Sequence, residues 1–172
     1  QQARFFTRSG WLTARRQEPW IQMDFPATPA APAITPDLLL RALGCTPLQV
    51  GRSRFDYLAV LPSEDQVRAL RPEMVQLKLV ETRAVIVTAP ASTPGYDFVS
   101  RVFAPAVGID EDPVTGSAHC CLAPFWAERL GKRDLVGYQA SARGGVVRVS
   151  LQGDRVLLGG RAITVFRADL LA

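Results

Sequence analysis

Short runs of apolar residues, some of them alternating with polar residues, recur along the chain and predict a structure made mostly of strands. Val147, Val149 and Leu151 are separated by single polar residues, which is typical of a strand with one buried face. The unbroken β-branched run over residues 84–89 instead predicts a strand that is buried on both faces. The predicted strands span residues 3–8, 11–16, 20–25, 47–51, 55–61, 84–89, 96–104, 136–142, 146–151, 155–158 and 162–167, with a hairpin turn at Ser9-Gly10.

Apolar residues at three- and four-residue spacing are confined to a few segments, where they predict helices. The longest such segment begins near Thr115 and ends at Gly131, and Pro124 lies inside it, so a kink or an early end is expected at the proline. Shorter helices are expected over residues 36–43, with Thr35 as N-cap, Pro36 at the first position and Gly44 as the end, over 63–70 with Ser63 as cap, and over 73–79. The expected fold class is α+β, with one prominent helix against or inside a largely antiparallel sheet.

The segment over residues 26–34 interrupts these elements, because it holds three prolines separated by alanines and other small residues. This composition predicts a stiff, extended connector and makes the segment the best candidate for a domain boundary. The chain enters its first predicted strand almost directly after Gln1, with neither an initiating Met nor an apolar leader. We therefore expect that a segment belonging before Gln1 was trimmed or is missing.

The composition is that of an ordinary globular protein of 172 residues, 48% hydrophobic and 21% charged, which excludes a disordered chain. No apolar run approaches the roughly 20 residues that a membrane helix needs. The formal net charge is +4, and 18 of the 20 basic residues are arginine. Either an anionic partner or a general preference for arginine explains this excess. Because the arginines are scattered and no basic run alternates with aromatic residues, we expect no nucleic-acid or membrane partner.

The three cysteines, Cys45, Cys120 and Cys121, occur without a CxxC pair, and His119 is the sole histidine of the sequence. We therefore expect no metal site. An odd number of thiols without disulfide spacing is typical of a reducing compartment, so we expect a cytoplasmic protein. Cys120 and Cys121 are expected to pack as small apolar side chains, and His119 as a packed or helix-end residue.

The stretch over residues 108–119 holds the side chains best suited to chemistry. It consists of an acidic loop followed by a helix start built from small residues, Thr115-Gly116-Ser117. The first amides of a helix lack internal partners and carry partial positive charge, so a carboxylate or phosphate of a ligand can bind there. Asp112, just before this point, could accept a proton or bind a polar substrate group. Ordinary helix capping accounts for the same residues and remains open.

The sequence Glu-Asp-Pro-x-Thr-Gly-Ser-Ala over residues 111–118 is the most specific motif in the chain. Further motifs are Phe5-x-Thr7-Arg8-Ser9-Gly10, Met23-Asp24-Phe25-Pro26, Phe98-x-Ser100-Arg101-x-Phe103-Ala104-Pro105, Ala123-Pro124-Phe125-Trp126, Leu130-Gly131-Lys132 and Gln139-x-Ser141-x-Arg143-Gly144-Gly145. In these motifs and in their order, the chain resembles the PhzF-like (phenazine biosynthesis protein) family.

The resemblance implies a diaminopimelate-epimerase-like fold of two α/β halves, each a mostly antiparallel sheet wrapped around a central helix. The helix over about 115–130 would be the central helix of the second half, within a C-terminal domain formed by residues 35–172. Residues 1–25 would be the terminal strands of an otherwise missing N-terminal domain, and residues 26–34 would join the two. The acid/base glutamate of the family belongs to the missing half, so the chain alone is expected to be inactive.

The resemblance also implies an isomerase that moves a proton on a small carboxylate-bearing metabolite, without a metal or an organic cofactor. Asp112 would be the catalytic polar residue, and Thr115, Gly116 and Ser117 would hold the substrate. Related epimerases carry a catalytic cysteine where Thr115 stands, so a two-thiol mechanism is not expected. The expected protein partner is a second copy of the chain or the missing N-terminal half.

Arg143 and Gly144 are further candidates for substrate binding. An arginine can pair with a carboxylate, and a glycine pair lets the backbone approach a ligand, although a plain hairpin turn explains the same residues. A second hypothesis for the whole chain remains beside the isomerase. In it, the chain is a non-catalytic relative that binds a small anion or a protein partner.

Overall fold

A computed structural model describes residues 2–7 and 10–169 of the chain. Within these residues the strands are β1 (Gln2–Thr7), β2 (Gly10–Gln17), β3 (Trp20–Pro26), β4 (Ala31–Pro32), β5 (Gln49–Arg52), β6 (Asp56–Val60), β7 (Ala84–Pro90), β8 (Phe98–Phe103), β9 (Asp134–Gln139), β10 (Gly145–Gln152) and β11 (Arg155–Gly160). The helices are α1 (Asp37–Leu43), α2 (Glu64–Ala69), α3 (Met74–Leu77) and α4 (Gly116–Leu130), and a 3₁₀ turn spans Pro105–Val107. None of them is long and apolar enough to cross a membrane.

All described strands join one sheet in the order β1-β2-β3-β11-β10-β9-β8-β7-β6-β5-β4. Neighbouring strands are antiparallel except in the pairs β6–β7 and β8–β9, which are parallel. The prediction of an α+β structure with a mostly antiparallel sheet is therefore confirmed at this level. The order places β3, near the start of the chain, beside β11, near its end.

The predicted strands from 3–8 to 155–158 all correspond to observed strands whose ends differ by at most three residues. The short strand β4 was not predicted, because it lies inside the proline-containing connector, where its two residues pair with β5. Of the hairpin turn expected at Ser9-Gly10, Gly10 begins β2 with a positive φ of 87°, whereas Ser9 lies outside the described residues.

The strand predicted over residues 162–167 is wrong. This segment has no strand structure, although apolar residues recur in it. Strand β11, which precedes it, is already paired with β3 on one side and β10 on the other, so neither edge of that strand is free. Without a pairing partner the apolar side chains stay in solvent: Ile163, Val165 and Phe166 are 89%, 88% and 80% exposed.

Most of the predicted helix boundaries are correct. The amide of Gly44 donates to the carbonyl oxygens at the end of α1 from the left-handed conformation expected of it, with φ at 67°. Ser63 caps α2 by accepting a hydrogen bond from the backbone amide of Gln66. The prediction of Thr35 as N-cap of α1 is wrong, because the carbonyl of Pro36 accepts the first helical hydrogen bonds and makes Pro36 the cap residue.

Helix α4 continues through Pro124 to Leu130, so the early end considered for it does not occur. Proline has no amide hydrogen, and the carbonyl of Cys120, four residues earlier, therefore has no donor from within the helix. The backbone amide of Thr28 donates to that carbonyl oxygen at 3.0 Å. The connector thus docks on the helix at the position that the proline leaves free.

Two cores lie on opposite faces of the central strands. One contains most of α4, packed against Ile86 and Phe98 of the central strands and against Val149 and Leu158 of β10 and β11. The other contains the buried residues of α1, α2 and α3 with the opposite face of the same central strands. Because α4 packs against the strands from β6 to β11, its first turn is fixed relative to β8 and β9, beside which the acidic loop runs.

Candidate functional site

The acidic loop is fastened to the first turn of α4 through its own side chains. Thr115 is the N-cap residue of α4 in an extended conformation, and its hydroxyl donates a short hydrogen bond to Oδ2 of Asp112. The backbone amide of Asp112 donates to the carbonyl of Val102 on β8 at 3.0 Å. Both the backbone and the carboxylate of Asp112 are therefore held in place.

Gln139, at the end of β9, connects the two ends of this loop and is fully buried. Its side-chain oxygen accepts from the Thr115 amide at 2.8 Å. Its side-chain nitrogen donates to the Asp112 carbonyl at 2.6 Å and to the Thr115 hydroxyl at 3.1 Å. Gln139 occurs in one of the sequence motifs, but its role in the site is not evident from the sequence, because its partners lie 24 and 27 residues away.

A partly buried ion pair holds Glu111, the residue that precedes Asp112. The guanidinium of Arg101 forms a two-pronged contact with the carboxylate of Glu111, at 2.7 and 2.9 Å. Its remaining nitrogen, Nη1, donates to the carbonyl oxygens of Val67 and Leu70 near the end of α2. Since such bidentate pairs fix both partners in angle as well as distance, Arg101 positions the acidic loop against α2. Sequence reasoning also missed this residue.

At the start of α4, Ser117 is exposed and Gly116 is partly buried. A Cβ atom on Gly116 would meet the side chain of Leu158 at an ordinary 3.6 Å, so packing alone does not require glycine there. The hydroxyl oxygen of Ser117 accepts a hydrogen bond at 3.1 Å from Arg83 on the segment before β7. Arg83 is in turn paired with the buried carboxylate of Asp56. Neither Arg83 nor Asp56 was among the predicted site residues.

The turn between β9 and β10 packs against the same loop. Ser141 donates from its hydroxyl to the carbonyl of Pro113 at 2.8 Å and accepts from the amide of Gly144 at 3.1 Å. Gly144 has a φ of +70°, and a Cβ atom there would overlap the hydroxyl of Tyr138. The glycine is therefore required by the turn itself. Arg143 beside it is exposed, and its role in substrate binding stays a prediction.

His119 and the two helix cysteines are buried beneath the first turns of α4. The Nδ1 atom of His119 donates to the Thr115 carbonyl at 2.8 Å, and Nε2 has no partner in the described part of the chain. Burial lowers the pKa of His119 to about 4, despite the opposing effect of that hydrogen bond. Burial raises the pKa of Cys120 to about 11 and of Cys121 to about 12. At neutral pH all three are uncharged, as expected of packed side chains.

A match to the model of the PhzC-PhzF family, described as phenazine biosynthesis-like protein, covers residues 3–168. An uncharacterized isomerase of Halalkalibacterium halodurans is 50% identical over 97% of this chain and 63% of its own length. Phenazine biosynthesis-like domain-containing protein 2 of Mus musculus is 39% identical over 98% of this chain and 65% of its own length. The crystal structure of a PhzF-family protein from Enterococcus faecalis superposes with a TM-score of 0.86 at 35% identity, over 93% of this chain and 61% of that one.

The chain thus spans between three fifths and two thirds of the length of these relatives. The family match extends from the first strand to the exposed segment after β11. The acidic loop, the start of α4 and the β9–β10 turn all lie inside it. The chain belongs to the PhzC-PhzF family of phenazine biosynthesis-like proteins.

Proposed function

We propose that this chain supplies the Asp112-bearing, substrate-anchoring part of an isomerase that moves a proton on a small carboxylate-bearing metabolite without a cofactor. Family membership and the name "isomerase" carried by the relative from Halalkalibacterium halodurans support this proposal. Because the chain spans less than two thirds of such relatives, the activity of a whole enzyme is part of the proposal.

The observation that carries the proposal is the fixation of Asp112 beside the open first turn of α4. The Thr115 hydroxyl and Gln139 hold Asp112, whereas Ser117 stays exposed at the helix start. In the proposed site, the substrate carboxylate binds at the turn formed by Thr115, Gly116 and Ser117, where the helix dipole favours negative charge. The backbone amides of Gly116 and Ser117 and the Ser117 hydroxyl contact it, whereas the amide and hydroxyl of Thr115 are bonded to Gln139 and Asp112 and hold the turn in place. Asp112 then binds or relays a proton at the reacting carbon, because its position is fixed relative to the bound carboxylate.

We further propose the domain arrangement that the family resemblance implies. Residues 35–172 form a C-terminal half whose sheet wraps around α4, residues 1–25 belong with an N-terminal half that carries the acid/base glutamate, and residues 26–34 join them. Burial of α4 against the strands from β6 to β11 supports the first part. The partner that completes the site is an N-terminal half of the family or a second copy of this chain. We propose the cytoplasm as the compartment.

Solvent deuterium incorporation tests the catalytic proposal. A longer protein that contains this sequence, or the chain mixed with an N-terminal half, is incubated in D₂O with a panel of small unsaturated carboxylates. Deuterium at the isomerised carbon is expected, and Asp112→Asn is expected to reduce its rate by about 100-fold or more, the size of a lost general acid or base. Incorporation at an unchanged rate in Asp112→Asn would contradict the assigned role.

A second candidate function, a non-catalytic anion-binding module, is favoured by the engagement of two glutamates, Glu64 and Glu111. Glu64 is buried among hydrogen-bond donors, and Glu111 is paired with Arg101, so neither is free to act as an acid or base. This alternative predicts small-anion binding that Ser117→Ala weakens, with no deuterium incorporation even after an N-terminal half is added. Incorporation catalysed by the 172-residue chain alone would eliminate it.

A further inference from the structure

A pocket of about 440 Å³ opens beside the first turn of α4. Its lining residues are Phe25, Pro26, Thr28, Arg54, Phe55, Arg83, Ser117 and Cys120. Aromatic rings, a few hydroxyl groups and two guanidinium groups converge in one concave space. This combination of apolar walls and a small number of directed polar groups is typical of a small-molecule site.

Arg83 reaches this pocket in a fixed orientation. Its Nε atom donates to Oδ1 of the buried Asp56 at 2.8 Å, and its Nη2 atom contacts the other carboxylate oxygen. Nη2 also donates to the Ser117 hydroxyl oxygen at 3.1 Å. The third nitrogen of Arg83, Nη1, forms no hydrogen bond with any residue in the ranges 2–7 and 10–169. Its two N–H groups are thus available to a ligand, and the arginine loses little conformational freedom on binding one.

Arg54 adds a second positive charge at the same place. The guanidinium carbon atoms of Arg54 and Arg83 lie 5.1 and 4.9 Å from the centre of the Phe55 ring. Asp56 neutralises Arg83, whereas Arg54 has no carboxylate partner in the part of the chain that the structure describes. The pocket therefore keeps about one uncompensated positive charge above an apolar wall, an arrangement that favours an anion with an apolar body.

We propose that this pocket binds the carboxylate of a small organic anion between Arg54, Nη1 of Arg83 and the hydroxyl of Ser117. The apolar body of the ligand then packs on Phe25 and Phe55. The inference rests on the proposed function insofar as Ser117 belongs to both sites. In this proposal the arginines that contact the carboxylate are Arg54 and Arg83, not Arg143. Arg54 lies between β5 and β6, and Arg83 lies directly before β7.

Titration of the 172-residue chain with benzoate, monitored by the NMR signals of the arginine Nε–H groups, tests this pocket. Saturable binding is expected, with the largest shift at Arg83, and the neutral isostere benzamide is expected to bind at least threefold more weakly. Arg54→Gln is expected to weaken benzoate binding by about threefold to tenfold, the effect of losing one charged contact. Arg41→Gln, at an exposed position of α1, removes the same charge elsewhere and is the matched control.

Three results would overturn the inference: no saturable benzoate binding, equal affinity for benzamide, or equal weakening by Arg54→Gln and Arg41→Gln. Thermal unfolding of each variant verifies that it is folded, and Arg83→Gln is avoided because it would leave Asp56 buried without its partner. Asp112→Asn separates the two proposals. Benzoate binding that persists in this variant while deuterium incorporation is lost supports both, whereas catalysis that depends on Asp112 without benzoate binding overturns only the pocket.

Discussion

Arginine side chains stack on aromatic rings in many places along the described chain. These pairs are Arg4–Trp11, Arg52–Tyr57, Arg54–Phe55, Arg83–Phe55, Arg68–Tyr138, Arg101–Phe103, Arg129–Phe125, Arg148–Trp20 and Arg161–Trp20. Guanidinium groups combine a planar stacking surface with a permanent charge, which lysine does not offer. Much of the arginine excess therefore serves packing. Arg54 and Arg83 differ from the other pairs because the ring that they share, Phe55, lines the proposed carboxylate pocket.

The site residues that sequence reasoning found are those close together in the chain. Asp112, Thr115 and Ser117 fall within one loop and one helical turn, where capping preferences apply directly. Gln139 and Arg83 act on partners 24 or more residues away, and nothing in their local sequence distinguishes them from other polar residues. Their roles required the pairing of β9 with β8 and the packing of α4, which a local pattern does not specify.

Glu64 makes a pH-dependent contribution to stability in the acidic range. Its carboxylate accepts hydrogen bonds from the backbone and hydroxyl groups of Ser92 and Thr93 and from Arg68. Burial alone raises the pKa of Glu64, but these hydrogen bonds outweigh it and lower the pKa from 4.5 to about 2. The stabilisation is therefore present above pH 4.5 and is lost as the pH falls towards 2, and it amounts to on the order of 3 kcal/mol.

Urea unfolding at a series of pH values between 2 and 7 measures this contribution. Glu64→Gln is expected to unfold at lower urea than the unsubstituted chain at pH 6, and the difference is expected to shrink towards pH 2. Glu128→Gln, at an exposed position of α4, serves as the control and should change little. A constant difference between Glu64→Gln and the unsubstituted chain at all pH values would contradict the prediction.

Elements that carry their own boundary signals were predicted well, and those that depend on a free sheet edge were not. Gly44 and Gly131 end α1 and α4 in the left-handed conformation that favours glycine. By contrast, β4 forms by pairing with β5, whereas residues 162–167 pair with no described strand, and β11, directly before them, is already paired on both sides. The pattern of apolar residues indicates which segments can form a strand, whereas pairing with a neighbouring strand determines whether they do.

The junction between the connector and α4 yields a prediction about this element. Thr28→Pro removes the amide that satisfies the Cys120 carbonyl, and the expected cost in the free energy of unfolding is about 1–3 kcal/mol. Thr28→Ala keeps the amide and is the matched control, with a smaller expected loss. Pro124→Ala supplies a new donor from within the helix, so in the double variant it should recover part of the loss. Chemical denaturation of the unsubstituted chain, Thr28→Pro, Pro124→Ala and the double variant measures this coupling. Strictly additive changes in the free energy of unfolding would contradict it.

At the scale of the whole molecule, long-range pairing closes the chain on itself. Strand β3 pairs with β11, and Arg155 contacts Asp24, 131 residues away, at 2.8 Å. The order of strands could not be predicted from the sequence, since each strand alone fits several neighbours. The same order places the β1–β2 hairpin at the end of the sheet, with β1 as an edge strand. Apolar surface is concentrated there.

This end of the sheet is predicted to mediate self-association. Phe6 and Trp11 on the hairpin are 75% and 56% exposed, and an open pocket of about 560 Å³ separates the hairpin from the exposed segment that contains Ile163. An edge strand flanked by uncovered apolar residues readily pairs with another chain. Light scattering at micromolar concentration is therefore expected to give a mass above the 18.8 kDa of one chain. Phe6→Glu combined with Val165→Glu should restore the monomer, because charge on this surface opposes its burial.

Val75→Glu is the matched control for these substitutions, since Val75 is comparably exposed but lies on α3, which packs against α1. If self-association depends on the hairpin and the segment after β11, Val75→Glu leaves the mass unchanged and the double variant lowers it. Adding an N-terminal half of the family should compete for the same surface and also lower the mass of the self-associated form. A monomeric chain, or equal effects of both charge substitutions, would show that this surface does not hold copies together.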